Sequence, residues 1–209
     1  MIEELVKRGA EELRIREAAL DIVMENARKA RIQSKQAILR LHNDDIEGAR
    51  ERLEKAQGLL DELEITVEKH PELGCFNQVS AAKEEFSEAY ILLEIQTGSN
   101  LPEPKDLGVP ITSYLLGLGD VPGELRRQAL DALRRGDLET AVGRLGIMEE
   151  IYLGLVMMEE APLLKGLRRK MDIARGVIER TRSEITAEAG RRRLGEKVER
   201  LTDKLDDSR

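Results

Sequence analysis

This chain of 209 residues has no tryptophan, two phenylalanines and three tyrosines. So few aromatic rings exclude a platform on which nucleotide bases stack in succession. Cys75 is the single cysteine, so no disulfide can close within the chain, which fits a reducing compartment. Its thiol has no partner suggesting catalysis, and Cys75 reads as a partly buried small residue. His42 and His70 are the two histidines, and both read as structural. No apolar run approaches the ~20 residues that span a bilayer. The opening MIEELVKRGAEELRIRE lacks the apolar core of a signal peptide. These absences lead to the expectation of a cytoplasmic protein with no membrane attachment. Runs of alternating β-branched residues are missing too, which argues against a sheet.

What is present is leucine, alanine, glutamate, arginine and lysine, a mixture that points to long helices. The net charge of −7 argues against a uniformly basic nucleic-acid binder. It leaves room for a local basic stripe, because binding answers to local potential. Residues 2–43 read as one helix, with Ala19, Val23, Ala27, Ala30, Ser34, Ile38 and Leu41 forming a narrow seam. At 1.5 Å per residue such a helix is about 60 Å long. Asp44 or Asp45 can cap the second helix, whose heptad steps run from Ile46 to Val67 and end near His70-Pro71. A third helix covers about 72–96, and the proline-rich stretch 97–110 is a loop. The fourth runs from about 111 to 135 and stops at Gly136. Asp137 caps the fifth, and the sixth follows Pro162. Gly190 and the charged stretch after it suggest a seventh, short helix from about 191 to 205, in a tail (191–209) that frays at its end. The expected fold is therefore all-α: one domain over 1–209, an elongated antiparallel bundle of about seven helices. Narrow stripes on such a bundle leave surface to bury, so a homo-oligomer is expected.

Two acidic pairs stand out. Glu85 and Glu88 lie at i, i+3 on the third helix, each one residue before the apolar seam of Phe86 and Ala89. Asp120 and Glu124 lie at i, i+4 on the fourth helix, with Pro122 and Gly123 between them. Like charges on one face repel, and neither proline nor glycine favours a helix interior. Mg²⁺ would relieve that repulsion: it takes oxygen ligands, keeps waters and bridges to phosphate. Each pair taken alone reads first as an ordinary solvated face, because acidic pairs at this spacing are common on charged helices. Asp120 can also be a mere cap of a helix restarted at Val121-Pro122, and Gly123 a point of close helix approach.

The fourth helix, ITSYLLGLGDVPGELRRQALDALRRGDLETA, resembles the signature segment of the translin superfamily. The shared features are Tyr114-Leu115-Leu116-Gly117, Asp120, Gly123-Glu124-Leu125 and Gly136-Asp137. SKQAILRLH (34–42) resembles the family's first helix, and KMDIARGVIERTRSEI (170–185) its last long one. The resemblance is to the branch of translin-associated factor X, with Glu-x-x-Glu on the third helix and Asp-x-x-x-Glu on the fourth. It implies a seven-helix fold and a hollow shell of about eight subunits with the sites facing inward. It also implies Mg²⁺-dependent RNA cleavage at Glu85, Glu88, Asp120 and Glu124.

On this reading the chain is an endoribonuclease acting on single-stranded RNA, with Mn²⁺ as a substitute metal and single-stranded DNA as a second ligand. A translin-like partner could complete its assembly. Lys35 and Arg127 are the best candidate phosphate contacts, with Arg31, Arg40 and Arg126 beside them. Binding is expected to be salt-sensitive and loosely sequence-selective. The alternative is a non-catalytic oligomer of the translin type that binds single-stranded RNA or DNA; a helical scaffold without a ligand is the blandest case.

Overall fold

In the computed structural model, residues 1–206 are described, and they contain helices and no strand. The α-helices are α1 (Ile2–Leu41), α2 (Ile46–Lys69), α3 (Asn77–Thr97), α4 (Ile111–Arg134), α5 (Leu138–Val156) and α6 (Leu167–Asp206), with a short 3-10 helix at Pro71–Cys75. The fold is all-α, as expected. The seventh helix is not separate: α6 runs 40 residues straight through Gly190. An interior glycine costs a helix about 1 kcal/mol, and the good helix formers on both sides outweigh it. Of the expected frayed end, residues 207–209 lie outside the described residues. No helix of the described residues is long and apolar enough to cross a membrane.

The chain divides into two compact units, Met1–Leu118 and Gly119–Arg209. The boundary falls inside α4. In the first unit, every residue of the expected α1 seam is buried. So are Ala49, Leu53, Ala56, Leu60 and Leu63 of α2. The alanines in both stripes let these helices approach closely. The pairs Arg52–Gln33 (3.1 Å) and Asn26–Glu62 (3.4 Å) fix α1 and α2 as antiparallel. Asp45 caps α2 by accepting the Gly48 N–H at 2.9 Å, while Asp44 takes a left-handed φ of 57° in the turn. Gln96, at the end of α3, donates to Asp44 Oδ1 at 3.0 Å and to the Leu41 carbonyl at 3.1 Å, tying α3 to that turn.

α3 departs from the single stripe read in its sequence. Val79, Ala82, Phe86, Ala89 and Leu93 are buried as expected, but Ile91, Leu92, Ser87 and Glu88 are buried too. A helix covered on two sides has no polar face to show, so its periodicity is blurred. The loop after it is secured by Tyr114, whose hydroxyl donates to the Pro102 carbonyl at 2.9 Å; burial pushes that phenol's pKa up.

In the second unit, α5 runs antiparallel to α6, with Arg182 of α6 donating to Glu149 of α5 at 2.7 Å. Asp137 caps α5 as expected, accepting the Thr140 N–H at 3.0 Å. α4 is continuous through Pro122, so Asp120 caps nothing. Pro122 has no N–H to give the carbonyl one turn back. Gly123 is not a close-approach glycine either: a Cβ there would meet nothing within 4 Å. Cys75 is exposed rather than partly buried, because it ends the 3-10 helix on the surface. His42 and His70 are the C-cap residues of α1 and α2.

The Asp137 cap makes a pH-dependent contribution. The hydrogen bonds from Thr140 hold its carboxyl below the usual carboxylate range. Its contribution is present above the unfolded-state pKa and is lost as pH falls through the lower folded value. In acid titrations of stability, Asp137→Ala is expected to flatten that part of the acid limb and lower stability at neutral pH, whereas an unchanged limb would contradict the assignment.

Candidate RNA and metal site

The acids of α3 are placed by a glycine. A Cβ on residue 117 would lie 2.5 Å from the Glu84 carbonyl oxygen, 2.9 Å from the Ser87 Cβ and 3.0 Å from the Glu88 nitrogen. The start of α4 therefore crosses α3 backbone against backbone, right at the Glu84–Glu88 turn. Ser87, buried in the crossing, turns its hydroxyl back onto the Lys83 carbonyl at 2.8 Å. Glu88 is only 8% exposed. A carboxylate so far from water stays charged only where positive charge or hydrogen-bond donors meet it.

Glu85, one residue from that crossing, faces α1. Lys35 Nζ lies 3.8 Å from Glu85 Oε1, and Arg31 Nε lies 4.0 Å from Oε2. These are long ion pairs, beyond direct hydrogen-bond distance. Three residues singled out in the sequence (Arg31, Lys35 and Glu85) thus come together. The other basic residues near them on α1 are engaged locally. Arg28 and Lys29 pair with Glu25 at 2.9 and 3.3 Å, and the two cations hold the Glu25 carboxyl down at about 2. Arg40 sits apart at the α1–α2 turn, pairing with Asp45 at 2.9 Å. Lys83 (8% exposed) is buried against α2 and pairs with Glu64 at 2.8 Å.

In the second unit, Asp120 and Glu124 lie one turn apart on α4. Lys170 of α6 places its Nζ 2.5 Å from Asp120 Oδ2. Gly119 makes room for that lysine: a Cβ there would lie 3.3 Å from Lys170 Cδ. Arg126 is committed within this unit, donating to Thr181 Oγ1 at 2.8 Å and to Glu184 Oε1 at 2.9 Å. Arg127 is exposed. Lys170 was not singled out in the sequence, because only packing against Gly119 reveals its role; Gly117 was seen only as part of a motif.

Among the described residues, no three histidine, cysteine, aspartate or glutamate side chains are grouped to hold a metal ion. Each pair offers two carboxylates of the hard-oxygen type that Mg²⁺ accepts. That ion is commonly bound by one or two carboxylates together with substrate phosphate and water. At Glu85 and Asp120 the neighbouring positive charge comes from the protein's own side chains.

The structure is that of an all-α protein in which acidic pairs lie beside basic side chains and two helices cross at a glycine. The chain matches the Translin family over residues 14–182 and belongs to that family. An uncharacterized protein of Methanocaldococcus jannaschii is 32% identical over 147 residues, 68% of this chain. That match spans 66% of the relative's own length, just under two thirds. Two structures of the protein called AfC3PO superpose closely. Its duplex RNA complex has a TM-score of 0.81 at 34% identity, covering 92% of this chain and 98% of that one. A second structure of AfC3PO gives 0.80 at 35% identity, with 92% and 99% covered. Apo-NeC3PO, at 24% identity and a TM-score of 0.80 over 88% and 96% of the two chains, shares the fold.

Gly117 separates packing from helix propensity. Gly→Ala in an open helical position stabilises by about 1 kcal/mol, and Gly123→Ala is expected to do so. Gly117→Ala drives a methyl into backbone and is expected to destabilise by about 1–3 kcal/mol in urea unfolding. Equal gains at both positions would contradict the crossing.

Proposed function

We propose that this chain binds RNA as a homo-oligomer and cleaves it as a Mg²⁺-dependent endoribonuclease, with the pair Glu85 and Glu88 and the pair Asp120 and Glu124 as the ligands of one or two Mg²⁺ ions. The observation that carries this reading is the approach of Lys35 and Arg31 to Glu85. A phosphate drawn to those cations lies beside a carboxylate, the neighbourhood that a metal bridging protein and phosphate needs. The AfC3PO–duplex RNA complex, similar to this chain over nearly its whole length, supports the RNA ligand.

When bound, the metal supplies charge neutralisation at the phosphodiester and an acidified water. The chain's own residues do the rest. Lys35 and Arg127 each contact RNA phosphates, and Arg31 shares that task with Lys35. Glu88, enclosed at the α3–α4 crossing, has little freedom to move, so its carboxylate is preorganised. Arg126 anchors α4 to α6 and keeps Arg127 in register. The RNA cleaved is single-stranded, because an unpaired backbone turns freely into the in-line geometry of displacement. Mn²⁺ substitutes for Mg²⁺.

A second reading is favoured by Lys170. Its ammonium already neutralises Asp120, so the site can be stable without a metal, and the chain would then be a non-catalytic RNA-binding oligomer. Labelled single-stranded and duplex RNAs, incubated with Mg²⁺ or with EDTA, separate the two. We expect cleavage of the single strand that needs Mg²⁺ and falls at least 100-fold in Glu85→Gln or Asp120→Asn, with binding retained. Binding without metal-dependent cleavage in the wild type would select the second reading. Lys35→Ala and Arg127→Ala are each expected to lower affinity for all RNA sequences alike. Each should reduce the slope of log affinity against log salt by about 1.

A further inference from the structure

The two longest helices each run on beyond the residues they bury. In α1 every residue from 1 to 18 is exposed, and in α6 every residue from 193 to 205. The overhangs are about 26 Å (α1) and about 20 Å (α6) long. The buried seam of α1 passes through Val23, Ala27, Ala30, Ser34, Ala37 and Leu41 in alternating steps of four and three. The same steps counted backwards pass Leu20 and Arg16, the latter ion-paired with Glu12 and Glu72, and then reach Leu13, Gly9, Val6 and Ile2; the three apolar side chains of that last set are exposed. At the other end of the chain Leu194, Val198, Leu201 and Leu205 repeat the spacing and are exposed as well. A stripe recurring every 3.5 residues is the seam a second helix packs against. Repeated at the same spacing on both overhangs, it is more than scattered surface leucine.

The positions flanking each seam carry opposite charge. Beside the α1 seam the charged residues are Glu3, Glu12 and Glu17; beside the α6 seam they are Lys197 and Lys204. Such flanking residues decide which helices pair in coiled coils. α1 on α1 would set acid against acid, and α6 on α6 base against base. Glu3 pairs with Lys7 at 2.8 Å and Glu12 with Arg16 at 2.6 Å within α1, but these are exposed pairs of small worth.

We propose that the α1 overhang of one copy packs along the α6 overhang of a second copy of this chain, seam on seam, with the acidic flanks of α1 against the basic flanks of α6. One chain carries both complementary surfaces, so no other partner is required, and repeated use of the contact closes dimers or rings. This rests on the homo-oligomer reading above and names the surfaces that build the oligomer.

Sedimentation velocity on the full chain, freed of RNA, tests it. One variant carries Lys197→Glu and Lys204→Glu, so both its overhangs are acid-flanked. Another carries Glu3→Lys, Glu12→Lys and Glu17→Lys, so both are base-flanked. Each alone is expected to weaken association about tenfold or more, with circular dichroism unchanged. An equimolar mixture is expected to recover the wild-type mass, because each overhang then meets its opposite on the other variant. Variants that assemble like wild type, or a mixture that recovers nothing, would overturn the pairing while leaving the oligomer reading in place. A wild type that stays monomeric at all concentrations would overturn both. RNA affinity is measured separately, so loss of RNA binding bears on the functional reading alone.

Discussion

The contact on which the first unit depends is the crossing of α3 and α4 at Gly117. Two helices ordinarily sit 8–10 Å apart, held off by their side chains. At Gly117 one helix has no side chain, and the space its Cβ would fill belongs to the backbone of Glu84 and Glu88. Three consequences follow. Ser87 is sealed in and bonds back to its own helix. Glu88 becomes a buried carboxylate. Glu85 is turned toward the basic side of α1. An acidic pair that would otherwise lie on a solvated face is thereby split into one enclosed and one half-buried carboxylate.

Charge balance is the second theme. Clustered acids on rigid helices carry a cost that must be met by cations, protons or metal. Here Arg31 and Lys35 stand near Glu85, and Lys170 touches Asp120. The protein can fold with these charges balanced from within. A divalent ion binding there would exchange places with side-chain cations rather than relieve bare repulsion, and the released lysines and arginine would be available to phosphate. The same economy explains why Arg28, Lys29, Arg40 and Arg126 are tied to acids or hydroxyls of the protein itself.

Much of the fold was legible because helices on one partner leave a clean 3.6-residue signal. The α1 seam from Ala19 to Leu41 and the caps at Asp45 and Asp137 follow directly from local rules. The signal failed where the environment overrode it. α3 is buried on two sides, so Ile91 and Leu92 lie off its stripe. Gly190 looks like a terminator, yet α6 passes through it. Of the two glycines flanking the Asp120 region, Gly123 drew attention beside Pro122, but Gly117 makes the close contact. Nothing local distinguishes them: the difference lies in what the other helix brings. Within the site, the acids and Lys35 could be picked out by type and spacing, whereas Lys170, fifty residues beyond Asp120, is joined to it only by the fold.

The most direct measurement is a titration of Mn²⁺ into the RNA-free protein, followed by electron paramagnetic resonance. The account predicts a saturable population of bound Mn²⁺ that Mg²⁺ displaces, that Glu88→Gln abolishes and that Gly117→Ala weakens by disturbing the crossing. A wild-type signal indistinguishable from free Mn²⁺, or one that survives loss of Glu88 unchanged, would contradict the claim that these carboxylates form a metal site.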